Sequence, residues 1–354
     1  MTIEKIPLRG KQNAATATGY AGRLRRDLPS SFAVGLLACC VAWAPFGVSA
    51  QDKRMVRVGV TKIVSHAALD AVEKGFESAL SGAGFKEGVN LTYDRQNAQG
   101  DLAKAAAIAQ QFAKDQPDLI HSIATPTSQA VVKYNTRIPV VFSGVTDPVG
   151  AGIVAKDSAP GKKTGTNVTG VSDLWPVHLQ MQTYAKFVPS AKKWGTIFNP
   201  AEANSVPHVR AMRDAAKSLG LELTEVTVSH GSEVERAAQS LVGKVQAIAV
   251  TSDNTSVANF DAIARVCDQH KIPLFAGDVD SVQRGAIAAY GMDYFLVGYS
   301  AGKKAALVLK GVKPGDIPWG AVEKFSLVIN LRAAKAQGVT VAPELRKLAD
   351  KLIE

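Results

Sequence analysis

Small residues, most of them polar, follow the predicted strands of this sequence at the points where a strand ends and a helix begins. They are Ser65, His66, Thr125, Pro126, Thr146 and Asp147 in the first half of the chain, and Asn199, Asn204, Ser205, Asp253, Asn254 and Asp278 in the second half. In open parallel sheets, ligands bind outside the carboxyl ends of the strands. These residues are therefore the candidates for binding a small ligand.

The chemistry of these groups suits a ligand that carries both signs of charge. Asp253 and Asp278 are predicted to bind an ammonium group. The hydroxyls of Thr125 and Thr146, with the backbone amides near Ser205, are predicted to bind a carboxylate, because free N–H groups at a helix start attract anions. A cleft with both kinds of group fits an amino acid.

Other interpretations of the same residues remain open. Ser, Thr, Asp and Asn are common at helix starts simply as caps. His66 could be a ligand contact, a capping residue or a catalytic base. An aromatic ligand would need ring partners such as Trp175, Phe198 or Tyr290, and the last two could equally lie in the sheet cores.

Strand and helix patterns must alternate to place these residues together, and they do so twice. Apolar strand patterns at 55–60, 119–124 and 139–145 alternate with helical patterns at 67–80, 102–114 and 127–134, and the design starts again after residue 172. The sequence therefore predicts an α/β fold of two similar lobes, each a doubly wound, mostly parallel sheet flanked by helices.

Motifs of catalysis and cofactor binding are missing from the sequence. The six histidines show no metal-binding spacing, and neither HExxH nor Gly-x-Ser-x-Gly occurs. The segment Gly161-Lys162-Lys163-Thr164 resembles a phosphate-binding loop but has Lys156 where the first glycine is required. We therefore predict no metal, no cofactor and no catalytic residue, so that the protein is not an enzyme.

The first fifty residues have the order of a secretory signal peptide. Six basic residues precede an apolar run at 32–46. Val48-Ser49-Ala50 then supplies small residues before a predicted cleavage after Ala50. The run is shorter than the ~20 residues that span a bilayer. We expect a periplasmic protein, with acylation of Cys39 in Leu36-Leu37-Ala38-Cys39 as the alternative.

The charge that remains after cleavage is modest. Residues 1–50 hold six basic and two acidic residues, so the net charge falls from +10 to +6. No block of five like charges occurs, and no basic stripe alternates with aromatic residues, which argues against a nucleic-acid partner. Cys267 is the one cysteine left after residue 50, so an intramolecular disulfide is excluded for the mature chain.

Motifs spread along the chain resemble, in order, those of a family of bacterial ABC-transporter substrate-binding proteins. They are Ser65–Asp70, Gln96–Gly100, Ala124–Pro126, Phe142–Val149, Asn167–Asp173, Asn199–Ser205, Thr251–Asn254 and Phe275–Asp278. The resemblance spans about Val56 to Ala349. It implies the type I periplasmic-binding-protein fold and a small-molecule ligand, and some members that the chain resembles bind tryptophan or phenylalanine.

The resemblance also implies how the chain divides and works. Crossings near Ser172, near 280–285 and near 325–329 would give an N-terminal lobe of residues 51–171 and 285–325, and a C-terminal lobe of residues 172–284 and 326–354. The lobes would close on the ligand, and the closed monomer would deliver it to a membrane permease served by a separate ATPase. An exported hydrolase-like enzyme and a ligand-presenting sensory module are the alternatives for the same cleft.

Overall fold

Residues 54–354 are described by a computed structural model of the protein, in which they form two mostly parallel β-sheets flanked by helices. The predicted fold class is confirmed. The signal peptide predicted at residues 1–50 lies outside the described residues. Within residues 54–354, no helix combines the length and the apolar character that crossing a lipid bilayer requires.

The first lobe is built on a six-stranded sheet. Its elements, in chain order, are β1 (Val56–Lys62), α1 (Ala67–Gly82), β2 (Leu91–Asn97), α2 (Leu102–Asp115), β3 (Leu119–Ile123), α3 (Thr125–Tyr134), β4 (Val140–Val145) and β5 (Val168–Ser172). A later helix and a two-residue strand, described below, complete this lobe. The sheet's strands run parallel to one another, as the alternation of strands and helices predicts.

The second lobe follows with a seven-stranded sheet. Its elements are α4 (Val177–Ala185), β6 (Lys193–Phe198), α5 (Ser205–Ser218), β7 (Glu222–Thr227), α6 (Val234–Leu241), β8 (Ala247–Val250), α7 (Asn254–Ala258), α8 (Phe260–His270), β9 (Leu274–Ala276) and β10 (Ala288–Gly291). The chain then returns to the first lobe with α9 (Tyr294–Leu309) and β11 (Gly320–Ala321), and ends in the second with β12 (Ser326–Asn330), α10 (Leu331–Ala336), α11 (Pro343–Leu348) and β13 (Lys351–Ile353).

Strand order shows where the chain passes between the sheets. The first sheet has the order β11-β5-β4-β3-β1-β2 and the second β13-β12-β10-β9-β8-β6-β7, in which β10 and β12 are antiparallel. The second crossing lies after Gly291, later than the predicted 280–285, because β10 pairs with β9 and β12. The first lobe therefore resumes near Tyr294 rather than at residue 285.

The central strands of the first sheet are buried along their whole length. Every residue of β3, β4 and β5 is buried, whereas the edge strand β2 is mostly exposed or half-buried. Near-continuous apolar strands are typical of a parallel sheet with both faces covered. The carboxyl ends of these strands are consequently the places where the sheet presents polar groups to a ligand.

Helices α1 and α9 pack backbone to backbone in the first lobe. A Cβ atom on Gly298 would lie 1.9 Å from the carbonyl oxygen of Val72, and one on Gly75 would lie 2.0 Å from the carbonyl oxygen of Phe295. Only glycine, which lacks Cβ, allows this approach. The contact fixes the position of α1, whose first residues reach the cavity described below.

We expect Gly298→Ala to lower the free energy of unfolding by about 3 kcal/mol, because the new methyl group forces two helix backbones apart. Urea denaturation followed by circular dichroism measures this change. The matched control is Gly82→Ala at the end of α1, where a Cβ atom would meet nothing within 4 Å. Equal urea midpoints for Gly298→Ala and the unsubstituted protein would contradict the prediction.

Candidate functional site

A narrow cavity lies between the two lobes, at the carboxyl ends of the strands. The first lobe lines it with His66, Ala68 and Leu69 at the start of α1, with Gly144 and Thr146 at the end of β4, and with Tyr294 of α9. The second lobe contributes Asn204, Ser252, Asn254, Val257 and Asp278, and the first crossing segment contributes Asp173 and Trp175.

The structure brings five of the residues predicted from sequence to this cavity. They are His66, Thr146, Asn204, Asn254 and Asp278, which come from both lobes. Sequence reasoning missed the apolar and aromatic part of the wall, including Leu69, Val257 and Tyr294. Those residues lie on helices, where an apolar side chain is indistinguishable in sequence from a core residue.

Asp253 lies outside the cavity wall, and its carboxylate is occupied by its own lobe. It accepts hydrogen bonds from the backbone N–H groups of Asn199 and Ser256 and from the hydroxyl of Ser205, each at 2.7 Å. Burial, together with the carboxylate of Glu202, raises the pKa of Asp253 to about 7. Asp253 therefore caps the start of α7. Capping was the alternative interpretation of this residue, beside ammonium binding.

The remaining predicted residues also have structural partners away from the cavity wall. Thr125 and Asp147 each accept a hydrogen bond from a backbone N–H in the segment after β4, at 3.3 and 2.8 Å. Ser65 accepts one from a side-chain amide at 3.0 Å, and Pro126 occupies the first turn of α3. These contacts shape the turns that border the cavity, without lining it.

Glu202 holds the second-lobe wall in place, a role that the sequence analysis missed. Its buried carboxylate accepts hydrogen bonds from the backbone N–H and the side-chain amide of Asn254, at 2.9 and 2.6 Å, and from the amide of Asn204 at 3.2 Å. A carboxylate in a loop is ordinarily exposed. Its position inside the motif Asn199–Ser205 was the one available indication.

Two carboxylates line the cavity, and of the described residues no lysine or arginine does so. Asp278 is 2% exposed and accepts hydrogen bonds from the N–H and the hydroxyl of Ser281, at 2.8 Å each. Asp173 accepts them from Thr146 at 3.1 Å and from the Tyr294 hydroxyl at 2.6 Å. Burial raises the pKa of Asp173, although these hydrogen bonds oppose the shift.

Asn204 presents an unused acceptor beside these carboxylates. Its amide nitrogen donates to the carbonyl of Ser252 at 2.9 Å and to Glu202, so its orientation is fixed by two acceptors. The other end of the amide, Oδ1, is buried and has no hydrogen-bond partner among residues 54–354. Buried oxygen atoms rarely stay unpaired, so this one suits a donor group on a ligand.

His66 of the first lobe lies within hydrogen-bonding distance of Asn254 of the second lobe. Its Nδ1 lies 3.5 Å from the backbone N–H of Leu69 as the cap of α1, and its Nε2 lies 3.4 Å from Oδ1 of Asn254 across the cleft. Burial lowers the pKa of His66, with the charge of Asp278 opposing the shift. The imidazole ring is therefore neutral at pH 7. It caps α1 through Nδ1 and contacts Asn254 of the second lobe through Nε2.

Trp175 is the one proposed aromatic partner that lines the cavity. Its indole N–H donates to the Tyr294 hydroxyl at 3.1 Å, and Tyr294 in turn donates to Asp173. Tyr290 instead stacks on Phe325 with ring centroids 5.9 Å apart, and Phe198 is a buried residue of β6 outside the cavity wall. The core alternative therefore describes these two residues better.

One hydroxyl–imidazole pair borders the cavity and lacks the features of an activated nucleophile. Ser252 and His208 form a hydroxyl–imidazole pair, but burial lowers the pKa of His208 to about 3, and its second nitrogen has no partner within residues 54–354. An activated nucleophile needs a basic imidazole held by a third group. No cluster of three or more His, Cys, Asp or Glu side chains in the described part of the chain could hold a metal ion.

Comparison with known proteins agrees with this geometry. Residues 57–353 match the family model described as ABC transporter substrate binding protein. The chain belongs to this family. Its two sheets joined by three crossings, with a cavity between them, are the type I periplasmic-binding-protein architecture that the sequence motifs imply.

This substrate-binding protein is similar to a curated tyrosine-binding protein of Clostridioides difficile (strain R20291), with 38% identity over 80% of this chain and 81% of the relative. A solved structure from Streptococcus pneumonia, described as an ABC domain in complex with L-Trp, shares 32% identity with a TM-score of 0.80, covering 84% of this chain and 100% of that one. A ligand-free, open substrate-binding protein from Clostridium difficile shares 33% identity with a TM-score of 0.62, covering 84% and 99%.

A third carboxylate of this substrate-binding protein, that of Asp280, follows the cavity residue Asp278 by two positions. Asp280 begins a 3₁₀ turn after β9, and its Oδ2 is buried without a hydrogen-bond partner among the described residues. Burial and the nearby charges of Asp278 and Asp293 raise its pKa to about 7, against the opposing charge of Lys351. The folded state therefore holds a proton between about pH 4 and 7 that the unfolded state releases.

The free energy of unfolding should consequently fall as the pH rises from about 4 to 7. Asp280→Asn should remove the part of this fall that is due to the ionisation of Asp280. We expect the variant to melt roughly 2–4 °C above the unsubstituted protein at pH 8, and much closer to it at pH 5. Differential scanning calorimetry at both pH values measures the difference. Asp157→Asn, at an exposed loop carboxylate, is the control, and an equal shift for both variants would refute the assignment to Asp280.

Proposed function

We propose that this protein binds an amino acid with an aromatic or apolar side chain between its lobes and delivers it to an ABC permease in the membrane. The observation that carries the proposal is the uncompensated acidity of the cavity. Asp173 and Asp278 line it without a lysine or arginine among the described residues, and Asn204 adds an unpaired amide oxygen. Buried charge of this kind calls for a cationic partner.

The ligand's ammonium group would lie against the second lobe. Asp278 supplies the charge, and Oδ1 of Asn204 supplies a neutral acceptor. Asp173 is a weaker candidate, because burial raises the pKa of its carboxyl group and so disfavours the charged form. An ammonium group has three N–H donors on one small cation. It can therefore donate to acceptors on two different loops at once.

The ligand's carboxylate would lie against the first lobe. Helix α1 has sixteen residues, and its start faces the cavity through His66, Ala68 and Leu69. The first N–H groups of a helix have no partner within the helix and carry a partial positive charge. Thr146, which the sequence analysis proposed for the carboxylate, is on the same side and can donate a hydroxyl when it releases Asp173.

Binding across both lobes would favour closure. A ligand stabilises the closed state only through contacts that the open state lacks. The TM-score of 0.80 to a ligand-bound relative, against 0.62 to an open one of similar identity, supports a closed arrangement here. The contact between His66 and Asn254 would then be part of the closed seam.

The side-chain preference rests on the wall and on the relatives. Leu69, Trp175, Val257 and Tyr294 give the cavity an apolar side, and relatives at 32% and 38% identity carry the descriptions L-Trp complex and tyrosine-binding protein. Export to the periplasm, delivery to a permease and energy from a separate ATPase complete the proposal. The N-terminal sequence pattern and the family support that part of it.

We expect Asp278→Asn to weaken binding of tyrosine and tryptophan by roughly 30-fold or more, because one charge of a buried pair is removed. Asparagine keeps an acceptor for Ser281, so the loop fold should survive. Isothermal titration calorimetry on the purified protein measures the affinities.

Asp147→Asn is the matched control for this experiment, since Asp147 also follows a strand but lies outside the cavity wall. Its affinities should equal those of the unsubstituted protein. The assignment of an aromatic ligand fails if neither tyrosine nor tryptophan binds the unsubstituted protein, and the role of Asp278 fails if its variant binds as tightly as the control.

A further inference from the structure

One side of helix α9 is apolar although no other part of the described chain covers it. Thirteen large apolar side chains are exposed within residues 54–354, and five of them lie between Phe295 and Val312. The other eight lie elsewhere along the chain. Single exposed apolar residues are ordinary, whereas a contiguous group of them marks a surface that meets another molecule or a membrane.

The spacing of these residues places them on one side of α9, beside two lysines. Exposed side chains recur along the helix at intervals of three or four residues, which is the spacing of one helix face. We call this surface the α9 face, and its residues are Phe295, Leu296, Tyr299, Lys303, Leu307 and Lys310. The opposite side of the helix is buried, with Gly298 and Gly302 against α1.

The aromatic part of the α9 face is ordered by its own contacts. Phe295 stacks on Tyr299 with ring centroids 6.2 Å apart, and Nζ of Lys303 lies 5.6 Å from the centroid of the Tyr299 ring. These two rings are the only aromatic ones among the thirteen exposed apolar side chains of residues 54–354. Aromatic rings beside lysines are typical of residues at a membrane–water interface, where the rings lie at headgroup level and the ammonium groups reach the headgroups.

The charge around the α9 face is positive. Between Asp293 and Asp316 the chain has four lysines and no acidic residue. Lys304 is half-buried, and the other three are exposed, namely Lys303, Lys310 and Lys313. The apolar side chains of this surface are therefore surrounded by cations alone along their own segment.

Helix α1, which packs on α9, does not cancel this charge. Its three acidic residues each form an ion pair with Lys62 or Arg95, and they are Asp70, Glu73 and Glu77. Lys74 is exposed and directly precedes Gly75, the glycine of α1 that meets the α9 backbone. The neighbouring helix therefore adds a further cation beside the α9 face.

An anionic bilayer fits this surface better than a protein partner does. Two copies of the chain that met through α9 would bring lysines against lysines, with no acidic residue of that segment to pair with them. Protein interfaces are enriched in arginine and depleted in lysine, whereas residues 294–315 contain four lysines and no arginine. Anionic headgroups attract lysines, and aromatic and leucine side chains enter the boundary between headgroups and acyl chains.

We propose that the α9 face binds the surface of an anionic lipid bilayer. This interaction goes beyond ligand capture, because it involves neither the interlobe cavity nor the ligand. Its few lysines and small apolar area make the binding weak and reversible. It would concentrate the protein at the membrane that contains its permease, so that the search for the permease takes place along a surface.

Vesicle co-sedimentation tests the proposal with the protein purified without residues 1–50, because the apolar run of that segment could itself bind lipid. We expect binding to vesicles of equal parts phosphatidylcholine and phosphatidylglycerol at low salt, and little binding to phosphatidylcholine alone. Sodium chloride at about 0.5 M should release most of the protein, since salt screens exposed charges. The double variant Lys303→Glu/Lys310→Glu should bind the anionic vesicles roughly 10-fold or more weakly.

Two further double variants separate the contributions to this binding. Phe295→Ser/Tyr299→Ser keeps every charge and should also bind roughly 10-fold more weakly, because it removes apolar area from the contact. Lys192→Glu/Lys244→Glu changes the net charge as much as the lysine variant does, at exposed positions of the second lobe. This matched control should bind within about threefold of the unsubstituted protein. All substituted side chains are exposed, and circular dichroism melting checks that each variant folds.

Three outcomes would overturn the proposal. The first is the absence of binding to the anionic vesicles at low salt. The second is equal binding by the lysine variant and its control, or undiminished binding by Phe295→Ser/Tyr299→Ser, since a basic protein attracted without regard to position would behave in this way. The third is a dimer in analytical ultracentrifugation that the Phe295 and Tyr299 substitutions dissociate, because the α9 face would then bind a second copy.

The failure of this inference is distinguishable from failure of the proposed function. None of the substituted residues lines the interlobe cavity, so all variants should bind tyrosine and tryptophan as the unsubstituted protein does in isothermal titration calorimetry. Loss of vesicle binding with unchanged ligand affinity leaves the proposed function intact. Vesicle binding by a protein that binds neither amino acid would support the α9 face and contradict the assignment of an aromatic ligand.

Discussion

Negative charge buried without a cation is the constraint on which the site depends. Asp278 accepts two hydrogen bonds from Ser281, but hydrogen bonds from neutral groups do not cancel a full charge. Water can solvate such carboxylates while the lobes are apart. As the lobes approach, water leaves, the effective dielectric constant falls, and the attraction for a cationic group grows.

The rest of the site serves to hold these groups in position. Glu202 fixes the amides of Asn204 and Asn254, and Asp253 fixes the loop that carries them. In the first lobe, the glycine contact between α1 and α9 fixes the helix start that faces the cavity. The second lobe thus positions its wall through buried carboxylates, whereas the first positions its wall through the close packing of two helices.

Much of the fold was predictable because its periodic patterns are strong. The stripe Leu69, Val72, Phe76 and Leu80 is buried as its helical spacing predicts. The second crossing was placed too early because β10 is a short apolar strand. Its pattern is the same whichever sheet it joins, and only pairing with β9 and β12 assigns it.

The site was predictable to the level of loops and no further. Asp253 and Asp278 both follow short buried strands of the same sheet and have the same side chain, so sequence cannot tell the helix cap from the cavity carboxylate. Their partners decide it, because Asp253 accepts from Asn199 and Ser205, which lie far away in sequence. The burial of His208 could not be predicted either, since a histidine on an amphipathic helix is ordinarily a half-buried surface residue.

The backbone contact between α1 and α9 also determines the order in which the chain can fold. Between α1 and α9 the chain forms five strands of the second sheet, β6 to β10. During synthesis, the side of α1 that carries Gly75 therefore lacks its partner α9 until residue 309 has left the ribosome. The first lobe can therefore reach its final packing only after most of the second lobe has been synthesised.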